Sequence, residues 1–285
     1  MTTETILRMS QAGPMMLDHD TYYSPVADLA YFSASQCRHF QECEAAEIAR
    51  LRGEYRPEPT EAMLVGSYVD RALTAPAQLD AWIETHKGDI LTGRGQKRAA
   101  FERADAMIAR LTRDPLAAEL LAGAKQVILT GSINGHAFKA QLDVLKADRR
   151  IFCDLKTVAS FEPAWASQRL DDGTTRNIRV PWYDCYWWQM SVYDALLREA
   201  YQDSQWLCIL VAVTKQDPPD IGAWTLNSPE RMAHELAQGT ASLAQWAACK
   251  RGEAIPRRCE DCAYCRQTKA LAIRDADPWP GRGRR

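Results

Sequence analysis

The chain is expected to fold as a single α/β domain, with a mixed central sheet flanked by helices, on three observations. Short apolar strands bounded by turn formers crowd the middle of the sequence, at residues 126–130, 137–145 and 151–157. A wholly apolar run at 206–214 (WLCILVAVT) reads as a strand covered on both faces. Stretches of helical periodicity precede and follow both. The 285 residues are 46% hydrophobic, enough for one well-filled core and too apolar for global disorder.

Residues 1–30 show little periodicity and read as an irregular lead-in to a domain spanning 31–274. Ser33 or Ser35 caps a helix that runs to about Leu51, where Gly53 and the Pro57/Pro59 pair stop it. A second helix fits residues 60–74, with Glu61, Leu64, Val65, Val69 and Leu73 on its pattern. The glycine-rich, basic text at 87–98 (KGDILTGRGQKR) reads as a mobile loop entering a helix over 96–121. The three strands that follow, joined by Asn134-Gly135 and by Ala147-Asp148-Arg149, read as a meander. Residues 160–182 are expected to be irregular, with a loop at Asp171-Asp172-Gly173. An aromatic-rich helix fits 183–201, and the apolar strand at 206–214 takes a central place in the sheet. Pro218-Pro219 turns the chain, 222–226 fits another strand and 229–250 a long helix. The basic, Pro/Gly-rich tail at 275–285 is expected to be disordered.

Two of the short strands carry charges where a buried strand ought to have none. The text is Gln141-Leu142-Asp143-Val144-Leu145 and, after the turn, Ile151-Phe152-Cys153-Asp154-Leu155-Lys156-Thr157. Side chains alternate along a strand, so Lys156 shares a face with Asp154. Two carboxylates on neighbouring strands can share a divalent cation, and Mg²⁺ takes oxygen ligands while keeping waters that suit a phosphate substrate. A metal, an activated water and a lysine at one spot are the minimum for hydrolysing a phosphodiester. The residues alone leave a second reading open: two surface aspartates at strand ends, with a lysine beside them by chance. Against it, an unpaired charge inside an apolar strand is expensive. The metal site is expected on one edge of the sheet.

The same text resembles the PD-(D/E)xK nuclease superfamily, whose core is an aspartate, a hairpin, then Asp/Glu-x-Lys. Gln189 and Tyr193, in WWQMSVY, resemble the Gln-x-x-x-Tyr helix motif of its RecB-like members, and a spacing of four puts both on one helix face. Gly66-Ser67-Tyr68-Val69-Asp70 resembles the Gly-x-x-x-His motif of the same group, with Asp70 where many relatives have histidine. Within the superfamily, residues 33–215 are most similar to the phage-type RecE exonucleases (exodeoxyribonuclease VIII) and their phage and prophage relatives. The resemblance implies Asp143, Asp154 and Asp70 as ligands of Mg²⁺ or Mn²⁺, the Leu155 carbonyl as a further ligand, and Lys156 as the catalytic lysine, with Gln189 and Tyr193 beside them. It further implies a 5′→3′ exonuclease that resects linear duplex DNA, hands the single strand to a strand-annealing recombinase and, in some relatives, works as a homo-oligomer. Lys139, four residues before Asp143 and so on the same face, is a candidate phosphate contact. Arg94, Lys97 and Arg98 in the basic loop are candidates to track a DNA backbone, although a solvated loop explains them almost as well.

The chain has nine cysteines, and a reducing compartment makes metal ligation a better use for them than disulfides. Cys259-x-x-Cys262-x-x-Cys265, in RRCEDCAYCR within 256–268, lies in polar text, and its spacing brings thiolates onto one metal. The fourth ligand is expected from the first helix, as Cys37 or Cys43. The layout resembles a subset of RecB-like nucleases, the AddB type and the CRISPR-adaptation nucleases among them. In these, one N-terminal and three C-terminal cysteines hold a [4Fe–4S] cluster that staples the chain ends over the nuclease core. That likeness favours Cys43, in QECEAA. The two-and-two spacing departs from the commoner two-and-five, which keeps Zn²⁺ as the alternative. Cys153, Cys185, Cys208 and Cys249 sit in apolar or helical text and are expected in the core.

A net charge of −2 gives no global sign of a polyanion partner, though a local basic surface is all that nucleic-acid binding needs. No apolar run is long enough to cross a bilayer, and MTTETILRMSQAG lacks the basic-then-apolar layout of a secretory signal. A cytoplasmic protein of a bacterial or phage-infected cell, with no membrane partner, is expected. Trp182, Trp187 and Trp188 can stack on bases, but at least two of them read as core. The five histidines show no ligand spacing. The sequence thus predicts a metal-dependent DNA exonuclease. Three other readings stay open: an end-trimming nuclease of the AddB or CRISPR-adaptation type, an endonuclease with the same chemistry, and a nucleic-acid-binding subunit whose nuclease site is silent.

Overall fold

A computed structural model describes residues 16–169, 174–203 and 205–271. The start of the lead-in, the loop at Asp171-Asp172-Gly173 and the tail at 275–285 lie outside the described residues. Ser24 caps helix α1 (Pro25–Ala30) and Ser33 caps α2 (Ala34–Glu42), each hydroxyl accepting the N–H three residues on. The lead-in is therefore helical from Pro25. The single helix expected over 33–51 breaks at Cys43, whose extended backbone (φ −166°, ψ 108°) separates α2 from α3 (Glu44–Leu51). The C-terminal segment docks at this break. Ala45 donates its N–H to the Arg257 carbonyl at 3.0 Å, and Arg257 donates its own to the Glu44 carboxylate at 2.8 Å.

Thr60 caps α4 (Glu61–Thr74). The segment expected as a mobile loop is ordered instead: α5 (Leu79–Thr85) and α6 (Lys87–Ile90) lead into a tight turn closed by a Leu91–Lys97 bridge. The helix expected over 96–121 is two, α7 (Ala99–Arg113) and α8 (Pro115–Leu120). Pro115 has no N–H to give back to α7, and the Asp114 carboxylate accepts from Leu116 and Ala117 to start α8.

The sheet is built from β1 (Ala124–Ile133), β2 (His136–Lys146), β3 (Ile151–Val158), β6 (Leu207–Thr214) and β7 (Ile221–Thr225), in the order β1-β2-β3-β6-β7. All pairs are antiparallel except β3 with β6, so the sheet is mixed. A parallel pair needs a long crossover, and α9 (Trp187–Tyr201) supplies it. Because β6 adds beyond β3, the strand that carries Asp154 and Lys156 is central, and the expectation of a site at one edge is corrected. Between β3 and α9 the segment expected to be irregular forms a separate hairpin, β4 (Ala164–Arg169) with β5 (Thr175–Val180). The long helix expected over 229–250 divides into α10 (Pro229–Thr240) and α11 (Leu243–Arg251). Gly239 and Thr240 are poor helix formers, and Asn134 in the β1–β2 turn ties the Thr240 hydroxyl at 2.7 Å.

Helices cover both faces of the sheet. Phe138, Phe152, Leu196 and Trp246 belong to a core under α2, α9 and α11, while Val69, Phe101, Met107 and Val213 form a second under α4 and α7. Phe138 and Phe152 are wholly buried, each contributing about 1.5–3 kcal/mol of transfer free energy. The charged residues of β2 and β3 are held between these two cores.

Candidate active site and thiolate site

β2 and β3 pair at Lys146–Ile151, Leu145–Phe152 and Val144–Cys153. The next pair would be Asp143 with Asp154, and there the strands part, while β3 continues on β6 as far as Val158. On the other side of β2, the ladder skips from Lys125–Val144 to Val127–Leu142. Gln126, which stands between, has φ of 51°, a left-handed conformation uncommon in a strand residue. The alternation of faces slips at this point: Leu142 and Leu145 pack in one core, Val144 in the other. The Asp143 carboxylate fills the opening and accepts the Leu155 N–H at 2.7 Å.

Asp154 is 2% exposed, and its Oδ2 lies 2.6 Å from the Lys156 ammonium. Gln189 of α9 spans this pair. Its carbonyl accepts from Lys156 at 3.1 Å, while its amide donates to Asp154 at 3.2 Å and to the Tyr193 hydroxyl at 2.7 Å. The Lys156 ammonium also lies 4.9 Å from the centre of the Tyr186 ring. Asp70 reaches the site from α4, which comes close to β3 at Gly66: a Cβ there would stand 3.1 Å from the Thr157 hydroxyl. The Thr74 hydroxyl donates to Asp70 at 2.9 Å, and Gln126 donates to Thr74 at 2.6 Å. A cavity of about 360 Å³ opens on Asp70, Gln126 and Asp143 and extends to Tyr22, Asp28 and Lys139.

Burial, reinforced by the charges of Asp154 and Asp70, holds the Asp143 carboxyl well above the ordinary carboxylate range. Burial also raises Asp154, against the pull of Lys156. It raises Asp70 too, opposed by the Thr74 hydroxyl and reinforced by Asp154. Burial alone would lower Lys156, but Asp154 and Asp143 outweigh it and its proton is held more tightly than usual. Three carboxylates facing one lysine form a hard-oxygen donor set with excess negative charge, which suits a divalent cation. They are not drawn to a common point. The Leu155 N–H engages Asp143 and Lys156 engages Asp154, and among the described residues the one group of three or more ligand atoms lying within 4.8 Å of one another is made by four cysteines.

The other expected residues fall elsewhere. Lys139 is 2% exposed, donates to the Tyr22 carbonyl and pairs at 2.6 Å with Asp28, which is half-exposed, so the expected phosphate contact is corrected to a buried lysine engaged in an ion pair. Lys97 pairs with Asp105 at 2.5 Å, and Arg98 donates to the carbonyls of Leu91 and Gly88 at 3.2 and 3.0 Å. Lys97 thus ties the turn to α7 and, through the Tyr68 hydroxyl, to α4, while Arg98 closes the turn itself; Arg94 stands exposed on it. Trp182 and Trp188 are core residues, and Trp187 is half-buried. Thr74, Gln126 and Tyr186 join the site without having been singled out in the sequence. Thr74 carried a signal, being one turn beyond Asp70, whereas nothing in the text marks Gln126.

The four gathered cysteines are Cys43, Cys259, Cys262 and Cys265; Cys37 is buried apart from them. Cys43 sits at the break between α2 and α3, and the others on the approach to α12 (Ala263–Gln267) and within it. The Cys43 and Cys265 sulfurs are 3.6 Å apart, and those of Cys259 and Cys265 3.9 Å. N–H groups of Asp261 and Cys262 point at the Cys259 sulfur and bring its pKa down to about 6. Burial pushes Cys43 up, and Cys262 up to about 12. Four such thiols ionise together only around a cation, so the donor set fits a metal. Cys153, Cys208 and Cys249 are buried as expected, whereas Cys185 is exposed.

A mixed sheet that opens at Asp143 and Asp154-Leu155-Lys156, with Gln189 brought over them by the crossover helix, is the core of a PD-(D/E)xK nuclease. The chain belongs to a family of this class, the PDDEXK-like domain of unknown function (DUF3799), whose model matches residues 33–268. It is similar to the crystal structure of a "putative exonuclease" from Eubacterium rectale, with 28% identity, a TM-score of 0.82, and 92% of this chain and 97% of that one covered. Similarity to the structure of SSO0001 is weak, at 14% identity over 81% of this chain and 91% of that one, with a TM-score of 0.30. A dTDP-glucose 4,6-dehydratase of Salmonella typhimurium is 32% identical over 84 residues, which is 28% of this chain. The match spans only 22% of that enzyme's length.

Proposed function

We propose that this nuclease is a metal-dependent deoxyribonuclease that resects linear duplex DNA from its 5′ ends, in the manner of the RecE-type exonucleases. The observation that carries the reading is the Lys156 ammonium, held 2.6 Å from Asp154 and 3.1 Å from Gln189 where β2 and β3 part beside Asp143. Asp70, Asp143, Asp154 and the Leu155 carbonyl would hold Mg²⁺ or Mn²⁺, which supplies charge neutralisation at the scissile phosphate and an acidified water. Lys156 keeps its proton beside Asp154 and Asp143, so it acts as a cation: it orients the attacking water and stabilises charge gathering on the phosphate. Gln189 and Tyr193 fix the lysine and Asp154 relative to each other. The resected strand would pass to a strand-annealing recombinase, and the nuclease would work as a homo-oligomer.

The thiolate site is a structural staple, and its spacing supports one Zn²⁺. Zn–S bonds of about 2.3 Å arranged tetrahedrally place sulfurs roughly 3.8 Å apart. The 3.6 and 3.9 Å separations match that edge. A [4Fe–4S] cluster puts each thiolate on a different iron and spreads the four further. The staple also favours a second reading, an end-trimming nuclease with the same chemistry and a different polarity. Release of label from linear duplex DNA, marked separately at each end, separates them. Metal-dependent loss from the 5′ end supports the RecE-like reading; loss from the 3′ end, or from single strands only, supports end trimming. Absence of cleavage by metal-loaded, folded protein sinks both and leaves a silent binding subunit.

A further inference from the structure

The hairpin of β4 and β5 has no part in the site described above, yet it grows out of it. An aromatic cluster sets its base. Phe161 packs on Trp182 and Trp224, with ring centres 5.5 and 4.8 Å away, and Trp182 packs on Tyr186 at 5.9 Å. Tyr186 is the ring that the Lys156 ammonium lies against. The hairpin thus leaves the body between the elements that carry Lys156 and Gln189. Its ladder is separate from the main sheet, and strands of six residues give it a reach of about 20 Å.

The two faces of the hairpin differ. Ala164, Ala166, Ile178 and Val180 share one, which is apolar at the base of the hairpin and carries the Gln168–Arg176 pair further out. Trp165, Ser167, Asn177 and Arg179 share the other. There Trp165 is 69% exposed, with the Arg179 guanidinium stacked 5.2 Å from its ring centre. Ser167 donates to Asn177 at 3.1 Å on the same face. The two strands contain three arginines and no acidic residue. A flat ring open to solvent, a cation beside it and neutral hydrogen-bonding groups behind it are the parts that bind an unpaired nucleic-acid strand. A protein partner covering a lone tryptophan would call for apolar neighbours, and this face offers none.

We propose that the Trp165 face is a strand guide: a base of the DNA strand stacks on Trp165 while Arg179 meets the adjoining phosphate, which holds the strand on its way to Lys156. The identity of the strand rests on the nuclease reading; binding itself does not. The test is fluorescence anisotropy of a labelled single-stranded oligonucleotide with full-length protein in EDTA, where no cleavage occurs. Trp165→Ala is expected to weaken binding about 5- to 100-fold, and Trp165→Phe to keep most of it. Arg179→Gln is expected to weaken binding and flatten its salt dependence. With metal restored, Trp165→Ala is expected to raise KM for DNA and leave kcat in place. Wild-type protein that does not bind the oligonucleotide, or a folded Trp165→Ala that binds within twofold of it, overturns the guide. Cleavage by wild type with unchanged binding by Trp165→Ala would sink the guide and spare the nuclease. Weakened binding by Trp165→Ala, with no cleavage by wild type, would do the reverse.

Discussion

The carboxylate site lies on the central strand of the sheet and the thiolate site joins the two ends of the chain, and they keep their shapes by different means. At the carboxylates the protein's own polar groups fix the geometry. Leu155 holds Asp143, Lys156 holds Asp154, and Gln189 ties the pair to α9. At the thiolates, Cys43 and Cys265 lie 222 residues apart in sequence, and Cys265 sits on a helix of five residues, too short to be stable alone. The Arg257–Glu44 bond brings the two segments together, and on the proposed reading a cation holds the sulfurs. On the proposed function, a metal at the first site would be a reagent on a finished scaffold, and a metal at the second part of the scaffold. Ligand softness divides them in the same sense, since hard oxygens suit an exchangeable cation such as Mg²⁺ and thiolates a more tightly kept ion.

That contrast can be broken from either side. The largest effect is expected from Lys156→Ala, which should lower kcat for DNA hydrolysis by about 10³-fold or more while circular dichroism stays native. Retention of more than a tenth of the activity would remove Lys156 from the chemistry. Asp143→Asn should be nearly as inactive, yet more stable than wild type when both are free of metal. The sign follows from its raised pKa. The folded state keeps a proton that the unfolded carboxyl loses near 3.8, so metal-free wild type loses stability as pH rises from there through the raised value. The asparagine variant lacks that slope, and thermal melts in EDTA across pH 4 to 8 read it out.

Gln189→Ala should cost about 10- to 100-fold in kcat, since Lys156 and Asp154 keep each other while losing their common tether. Cys265→Ser should act in the opposite register. It should remove the tightly bound metal and lower Tm by about 5–10 °C, with the rate at low temperature within a few fold of wild type. An inactive Cys265→Ser variant with a native Tm would make the thiolates part of the reaction and dissolve the contrast.

Both sites are largely legible in the sequence. Asp143, Asp154 and Lys156 stood out because charges interrupted apolar strands, and the spacing of Gln189 and Tyr193 reads directly as one helix face. The cysteine spacing was as plain. What the text hides depends on contacts far along the chain. Lys139 reads as a phosphate contact in the text because its partner, Asp28, lies 111 residues earlier, in a stretch without periodicity. The break at Cys43 has no glycine or proline to mark it, and follows from the docking of Arg257. The hairpin of β4 and β5 is hard to read from the text because one face is open to solvent and the other mixes small and scattered apolar residues with Gln168 and Arg176. The αL turn of Gln126 is a demand of the sheet's opening, not a preference of glutamine.

Metal content puts the difference between the two sites to the test. Protein prepared without air would be assayed for zinc, iron and DNA hydrolysis before and after dialysis against EDTA, and again after adding Mg²⁺. One zinc per chain that survives dialysis, with hydrolysis lost on chelation and regained with Mg²⁺ alone, is the expected result. Zinc and activity that leave together and do not return with Mg²⁺ would contradict the assignment of one site to chemistry and the other to structure.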